Sequence, residues 1–143
     1  MQSNGLLAIK NDFNGRNAIL SGPAGGVIGG VDIAKKNNIK SIVGFDMGGT
    51  SADIWHYNGE IEKKSETKIS DVFVKTPILN IDTIAAGGGS ITKYENKRFI
   101  VGPESAGSFP GPACYRNNGP ITLTDCNLIL GRIAKEDFPK FFG

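Results

Sequence analysis

At 143 residues, with 39% hydrophobic and 21% charged residues, the chain is long enough for one domain with its own core. A net charge of +2, with no basic stripe interleaved with aromatics, gives no footprint for nucleic acid or an anionic membrane. No apolar run reaches spanning length, no signal-peptide core opens the chain, and Cys114 and Cys126 match neither a zinc spacing nor a disulfide framework, so two reduced thiols in a cytoplasmic protein are expected.

The opening residues Met1 to Gly5 read as cut into rather than begun. Leu6 to Ile9 and Asn17 to Leu20 read as short strands separated by an Asn14-Gly15 turn. A helix is expected over Ser21 to Lys36, with Ser21 as cap, Pro23 in the first turn and Lys35 and Lys36 in the last. Val27, Val31 and Ala34 share one face of it. Gly25, Gly26, Gly29 and Gly30 each cost about 1 kcal/mol against alanine in a helix interior. That penalty implies close packing on a second helix, or a helix start that faces a ligand.

Ile42 to Phe45 reads as a buried strand that delivers Asp46 to its end. Gly48 and Gly49 then allow a tight turn in which backbone N–H groups can crowd an anion. Ala52 to Tyr57 forms the next strand, Asn58-Gly59 the next turn, and Glu60 to Lys64 a return strand. No helix follows the glycines, which excludes a P-loop and a dinucleotide fold. N–H groups of Gly48, Gly49 and Thr50, with the hydroxyls of Thr50 and Ser51, can donate to phosphate oxygens. Asp46 would repel a bare phosphate, so it implies a Mg²⁺ ion reached through water. An ordinary glycine hairpin with a solvated Asp stands beside that reading.

Thr67 to Lys75 is expected to be extended and stopped by Pro77, and Ile78 to Ile84 to form a further strand. It empties into Gly87-Gly88-Gly89-Ser90, read either as a ligand-facing backbone turn or as a bulge for chain reversal. Proximity to a candidate nucleotide site favours the first. Ile91 to Tyr94 and Arg98 to Val101 pair as a hairpin across Asn96. Gly102 to Tyr115, with three prolines and three glycines, excludes a helix or central strand and predicts an ordered loop. Thr122 to Asp125 supplies a strand end and a helix cap, and Asn127 to Leu130 a short helix stopped by Gly131. The aromatics between Phe138 and Phe142 have little to pack on, which implies a longer natural chain.

Asp53, Asp82, Glu104 and Asp125 are the remaining carboxylates suited to act as base or metal ligand, against the plainer reading of turn and cap residues. His56, the single histidine, excludes a histidine triad or multi-histidine metal site. It shares a strand face with Ile54, whereas Trp55 and Tyr57 fit packing.

A glycine turn between antiparallel strands, with a carboxylate at the first strand's end, resembles the phosphate hairpin of the actin-like ATPase and sugar-kinase superfamily. Ser21 to Val27, Gly44 to Ser51, Ala86 to Ile91, Val101 to Gly107, Pro110 to Tyr115, Leu123 to Asn127 and Leu130 to Arg132 together resemble the hydantoinase A and 5-oxoprolinase family, whose relatives include acetone-type carboxylases. Ala52 stands where that family usually has threonine. The resemblance implies an α/β fold: a mixed β-sheet with an antiparallel phosphate hairpin and few helices. Residues 1–143 would be a single partial domain, one lobe of an actin-like, ribonuclease H-like ATPase. The other lobes would lie upstream and downstream.

The implied activity is ATP-dependent opening of a cyclic amide, with Asp46 and Asp53 catalytic and Asp46 the Mg²⁺ residue. Gly48, Gly49, Thr50, Ser51, Gly87, Gly88, Gly89 and Ser90 would hold nucleotide phosphates. A hydantoinase B-type subunit is the implied partner, and the chain alone is expected to be inactive. A ketone carboxylase subunit and a non-catalytic kinase-like binding module are the alternatives.

Overall fold

A computed structural model describes residues 1–69 and 71–138 of the chain. The architecture is mixed α/β with few helices and antiparallel sheets. It divides into two compact units, Met1–Asp46 with Asp53–Asp82, and Met47–Ala52 with Thr83–Gly143. Among the described residues the strands are distributed over three small sheets rather than the one mixed sheet expected. No helix among the described residues is long and apolar enough to cross a membrane.

In the first unit the two expected N-terminal strands are absent. Lys10–Asp12 forms a 3-10 turn and Gly15–Ala18 a short helix, α1. The Asn14 side chain accepts from the Asn17 N–H, an N-cap bond that favours a helical turn over an extended chain. Buried Ser3 holds the segment down, its hydroxyl donating to Asn17 O and accepting the Leu20 N–H, both at 2.9 Å. Helix α2 spans Ser21–Lys36 as expected, but Leu20 is its cap residue and Ser21 lies inside the first turn.

Strands β1 (Ser41–Met47) and β2 (Ala52–Asn58) are sheet neighbours, and four connecting residues make them antiparallel. Ala24, Val27, Val31, Trp55, Tyr57 and Leu79 form the apolar core, with Ile28, Ile42, Ile61 and Ile81 packed against it. One of the helix glycines, Gly30, packs on a tryptophan. A Cβ at Gly30 would lie 2.6 Å from the Trp55 ring, and one at Gly44 would fall within it. Two glycines, one on the helix and one on the strand, therefore make room for a single indole.

Residues 60–64 do not return along β2. Only a bridge from Tyr57 to Ile61 forms, and β3 (Lys63–Ile69) pairs instead with β4 (Val72–Leu79) as an antiparallel ribbon. Pro77 does not stop β4. The register shifts between Lys64 and Glu66, opposite residues 75–78, and an irregularity there tolerates a residue with no N–H. The expected strand over 78–84 is broken: β4 ends at Leu79, the Asn80 N–H donates to Glu62 O, and β5 spans only Asp82–Ile84. The strand expected over 67–75 crosses residue 70, which lies outside the described residues, as do the terminal Phe141 and Phe142.

In the second unit β6 (Ser90–Glu95) and β7 (Arg98–Ser105) form the expected hairpin, with Asn96 and Lys97 both at positive φ. The strand extends through Gly102 and Pro103, residues read as loop, because a two-stranded ribbon leaves one edge of β7 without ladder bonds to lose. Helix α3 spans Leu123–Ile129, starting earlier than expected. The Asp125 carboxylate accepts from Thr122 N at 2.7 Å and Thr122 Oγ1 at 2.9 Å, closing the first turn. Gly131, at φ +70°, follows its end.

Candidate functional site

The turn after β1 folds as a bare main-chain loop. The Gly48 N–H donates to Ser51 O at 2.8 Å, while Gly48, Gly49 and Thr50 are exposed and lead into a strand, not a helix. Among the described residues the N–H groups of Gly49 and Thr50 have no acceptor, so two donors face outward from one turn. Ser51 is half-buried, and Ala52 is fully buried.

The second glycine loop lies directly behind this turn, within the same unit. Gly88 N–H donates to Gly48 O at 2.9 Å, and Gly89 N–H to Gly49 O at 2.6 Å. A Cβ at Gly87 would stand 2.6 Å from Gly49 C, Gly49 O and Thr50 N, so only glycine lets the two loops touch. The Gly87 N–H donates to Ser90 Oγ at 3.0 Å, and Ser90 N–H returns to Gly87 O. Gly87, Gly89 and Ser90 are buried. All four N–H groups of this loop are thus engaged inside the protein.

A third layer holds the second. Gly88 O accepts both the Thr124 N–H and the Thr124 hydroxyl, each at 2.9 Å. Asp125, next along α3, is 6% exposed and accepts also from Ala113 N at 3.2 Å and Cys114 N at 2.6 Å. Burial alone would raise its pKa. Hydrogen bonds from the Cys114 thiol and backbone and from Thr122 outweigh that and hold it below the usual carboxylate range. The Cys114 thiol is pushed up to about 12, by burial first and then by the hydrogen bond and charge of Asp125. Cys114 and Cys126 are not joined by a disulfide.

The two candidate catalytic carboxylates belong to the first unit. Gly44 and Trp55 meet on the side of the sheet that α2 covers, and alternation puts Asp46 and Asp53 on that same side. Asp46 is exposed and Asp53 half-buried. Gly26 of α2 lies beside Asp46, where a Cβ would stand 4.0 Å from Asp46 Oδ2, an ordinary contact distance. The described residues contain no group of three or more His, Cys, Asp or Glu set for a metal. Carboxylate oxygens are hard donors, the ligand class that Mg²⁺ takes.

The other carboxylates have structural partners: Asp82 with Lys64 at 3.2 Å, and Glu104 with Lys93 at 2.9 Å. His56 is exposed and pairs through Nδ1 with Glu62 at 3.3 Å. Sequence reasoning missed Thr124. Its one signal was its place in the first turn of a capped helix, where N–H groups need outside acceptors.

Comparison with known proteins agrees along the whole chain. Residues 1–143 match the family model described as hydantoinase/oxoprolinase. The chain is 51% identical over 145 residues to a 5-oxoprolinase of Saccharomyces cerevisiae, covering 100% of this chain and 11% of that protein. Among solved structures it is similar to an ATP-dependent caprolactamase from Pseudomonas jessenii, with TM-score 0.75, 37% identity, and 94% and 20% of the two chains covered. It is also similar to a nucleotide-free acetone carboxylase, with TM-score 0.68, 31% identity, and 85% and 18% covered. With the family model matched from first residue to last, the chain belongs to the hydantoinase/oxoprolinase family.

Proposed function

We propose that this chain carries the phosphate hairpin of an ATP-dependent enzyme that opens cyclic amides, within one lobe of an actin-like, ribonuclease H-like fold. Residues 1–143 act as part of a single hydantoinase A-type domain, and the remaining lobes and a hydantoinase B-type subunit complete the enzyme. The observation that carries this reading is the exposed pair of N–H donors at Gly49 and Thr50, shaped by a glycine turn between two strands. The likeness to a 5-oxoprolinase and an ATP-dependent caprolactamase supports the cyclic amide as substrate class.

An amide carbonyl is a poor electrophile. Transfer of the γ-phosphoryl group to its oxygen, with ADP leaving, makes the ring carbon electrophilic. Water adds there, and the C–N bond breaks as the nitrogen takes a proton and leaves as an amine. The acyl phosphate on the opened chain is hydrolysed to carboxylate and phosphate. The chain's own contribution is positioning and charge neutralisation at the transferring group. Gly49 and Thr50 N–H groups, with the Thr50 and Ser51 hydroxyls, donate to phosphate oxygens. Gly48 closes the turn, and Gly87 to Ser90 support it from behind. Asp46 would hold Mg²⁺ through water, with Asp53 as its neighbour or as base toward the attacking water. The ion supplies neutralisation of phosphate charge. The two free thiols suit a reducing, cytoplasmic setting.

The likeness to acetone carboxylase supports a second reading, phosphorylation of an enol oxygen in a ketone carboxylase. ATP hydrolysis by the longer protein separates the two. Stimulation by 5-oxoproline or caprolactam supports ring opening, stimulation by acetone with bicarbonate supports carboxylation, and hydrolysis indifferent to both sinks each. Calorimetric titration of the 143-residue chain with Mg-ATP is expected to give no micromolar binding, since one lobe supplies only half of such a site.

A further inference from the structure

We propose that Thr124 is a positioning residue for the phosphate turn, acting through two successive peptide groups on the Thr50 N–H. The proposal rests on the reading of Gly49 and Thr50 as phosphate donors. It begins from the carbonyl of Gly88, which accepts two hydrogen bonds from Thr124, one from N–H and one from Oγ1, each at 2.9 Å. That carbonyl and the N–H of Gly89 belong to one planar peptide. Withdrawing electron density at the oxygen makes the N–H at the other end a stronger donor. The Gly89 N–H donates to Gly49 O at 2.6 Å, and Gly49 O shares its peptide with the Thr50 N–H. Thr50 N–H is therefore the free end of a polarised chain that starts at the Thr124 hydroxyl.

The companion bond works in the same sense. Gly88 N–H donates to Gly48 O, whose peptide ends in the Gly49 N–H. The three glycines are what allow it: a side chain at 87 would collide with the Gly49–Thr50 peptide, one at 88 would lie 2.7 Å from Thr124 Oγ1, and one at 89 would lie 2.9 Å from Gly49 O. Thr124 is itself fixed by the Thr122–Asp125 closure on either side of it. The second glycine loop thus acts on phosphate without touching it, by strengthening and aiming the donors that do.

The test uses Thr124→Val, which keeps size and the main-chain donor and removes only Oγ1. In the 143-residue chain, the amide protons of Gly89 and Thr50 are expected to move upfield together, Gly89 more than Thr50. The melting temperature should stay close to that of the parent, and Thr124→Ser should restore both signals. A hydroxyl that merely pins the loop would lower the melting temperature and leave Thr50 unmoved, which overturns the proposal. Titration with magnesium pyrophosphate is expected to show binding at Thr50 weaker by a factor between about 1.3 and about 5 in Thr124→Val, the effect of a 10–30% change in a charge-assisted bond. If Thr124→Val shifts both amides but pyrophosphate raised to millimolar concentration, where a half-site still binds, leaves Thr50 untouched in the parent, the relay stands and the phosphate reading fails. The unmodified chain gives an independent check: a scalar coupling across the Gly89 N–H to Gly49 carbonyl bond must be resolved, and its absence overturns the relay.

Discussion

The two units are held together by different physics. The first is an apolar cluster in which Val27 and Val31 of α2, Trp55 and Tyr57 of β2, and Leu79 of β4 exclude water. Among the best-buried groups of the second are Ser90, Thr122 and Asp125, together with the glycine main chain at 87 and 89. Apolar packing is non-directional and tolerates small displacements. A hydrogen-bonded interior is directional, and it fails when one buried donor or acceptor loses its partner. The difference teaches where a fold can place atoms finely: the outward donors of Gly49 and Thr50 belong to the second kind.

Removing the largest piece of the first core should break the contrast most plainly. Trp55→Ala takes away the ring that fills the notches of Gly30 and Gly44, and should cost about 3–5 kcal/mol in urea denaturation. Hydrogen exchange should show the loss concentrated in α2, β1 and β2. An equal loss of protection over residues 86–90 would mean that the two interiors are not separable.

Asp125→Ala tests the other interior. It leaves the N–H groups of Thr122 and Cys114 and the Thr122 hydroxyl without that acceptor, while the Ala113 N–H keeps Pro120 O, and should cost about 3 kcal/mol. Acid sharpens this. Because the folded pKa of Asp125 lies below its unfolded value, the stabilisation is complete above about pH 4 and is lost as pH falls through the folded value. Amides of residues 111–126 should therefore lose exchange protection in acid before those of α2. Uniform loss would contradict the assignment.

Cys114 offers a smaller and more local readout. With its pKa near 12, its thiolate population at pH 8 is about a thousandfold below that of a free thiol, and stronger intrinsic nucleophilicity offsets part of this. Alkylation by iodoacetamide should be on the order of fifty-fold slower than for a model thiol. Asp125→Asn, which removes the negative charge, should speed it. A rate matching the model thiol would refute the buried Cys114–Asp125 contact.

What could be read in advance follows the same division. Helix α2 was legible because Val27, Val31 and Ala34 recur at helical spacing, and all three are buried. The β6–β7 hairpin and the strand–glycine turn–strand unit were legible because turn chemistry is local. The N-terminal segment was misread because a hydroxyl from Ser3, up to 17 residues away, ties residues 17–20 into helical turns. The position of the Gly87 loop was hidden for a sharper reason. Its partners at Gly48, Gly49 and Thr124 are carbonyls and donors 36 to 40 residues distant, and a main-chain contact leaves no mark in side-chain periodicity beyond the glycines it requires.

The indole of Trp55, seated in the vacancies at Gly30 and Gly44, joins three distant positions into one hereditary unit. A lineage that acquires alanine at 30 or 44 has to shrink the aromatic at 55, and one that shrinks the aromatic first frees both glycines to drift. Substitutions across this family should therefore arrive at those three sites as a set.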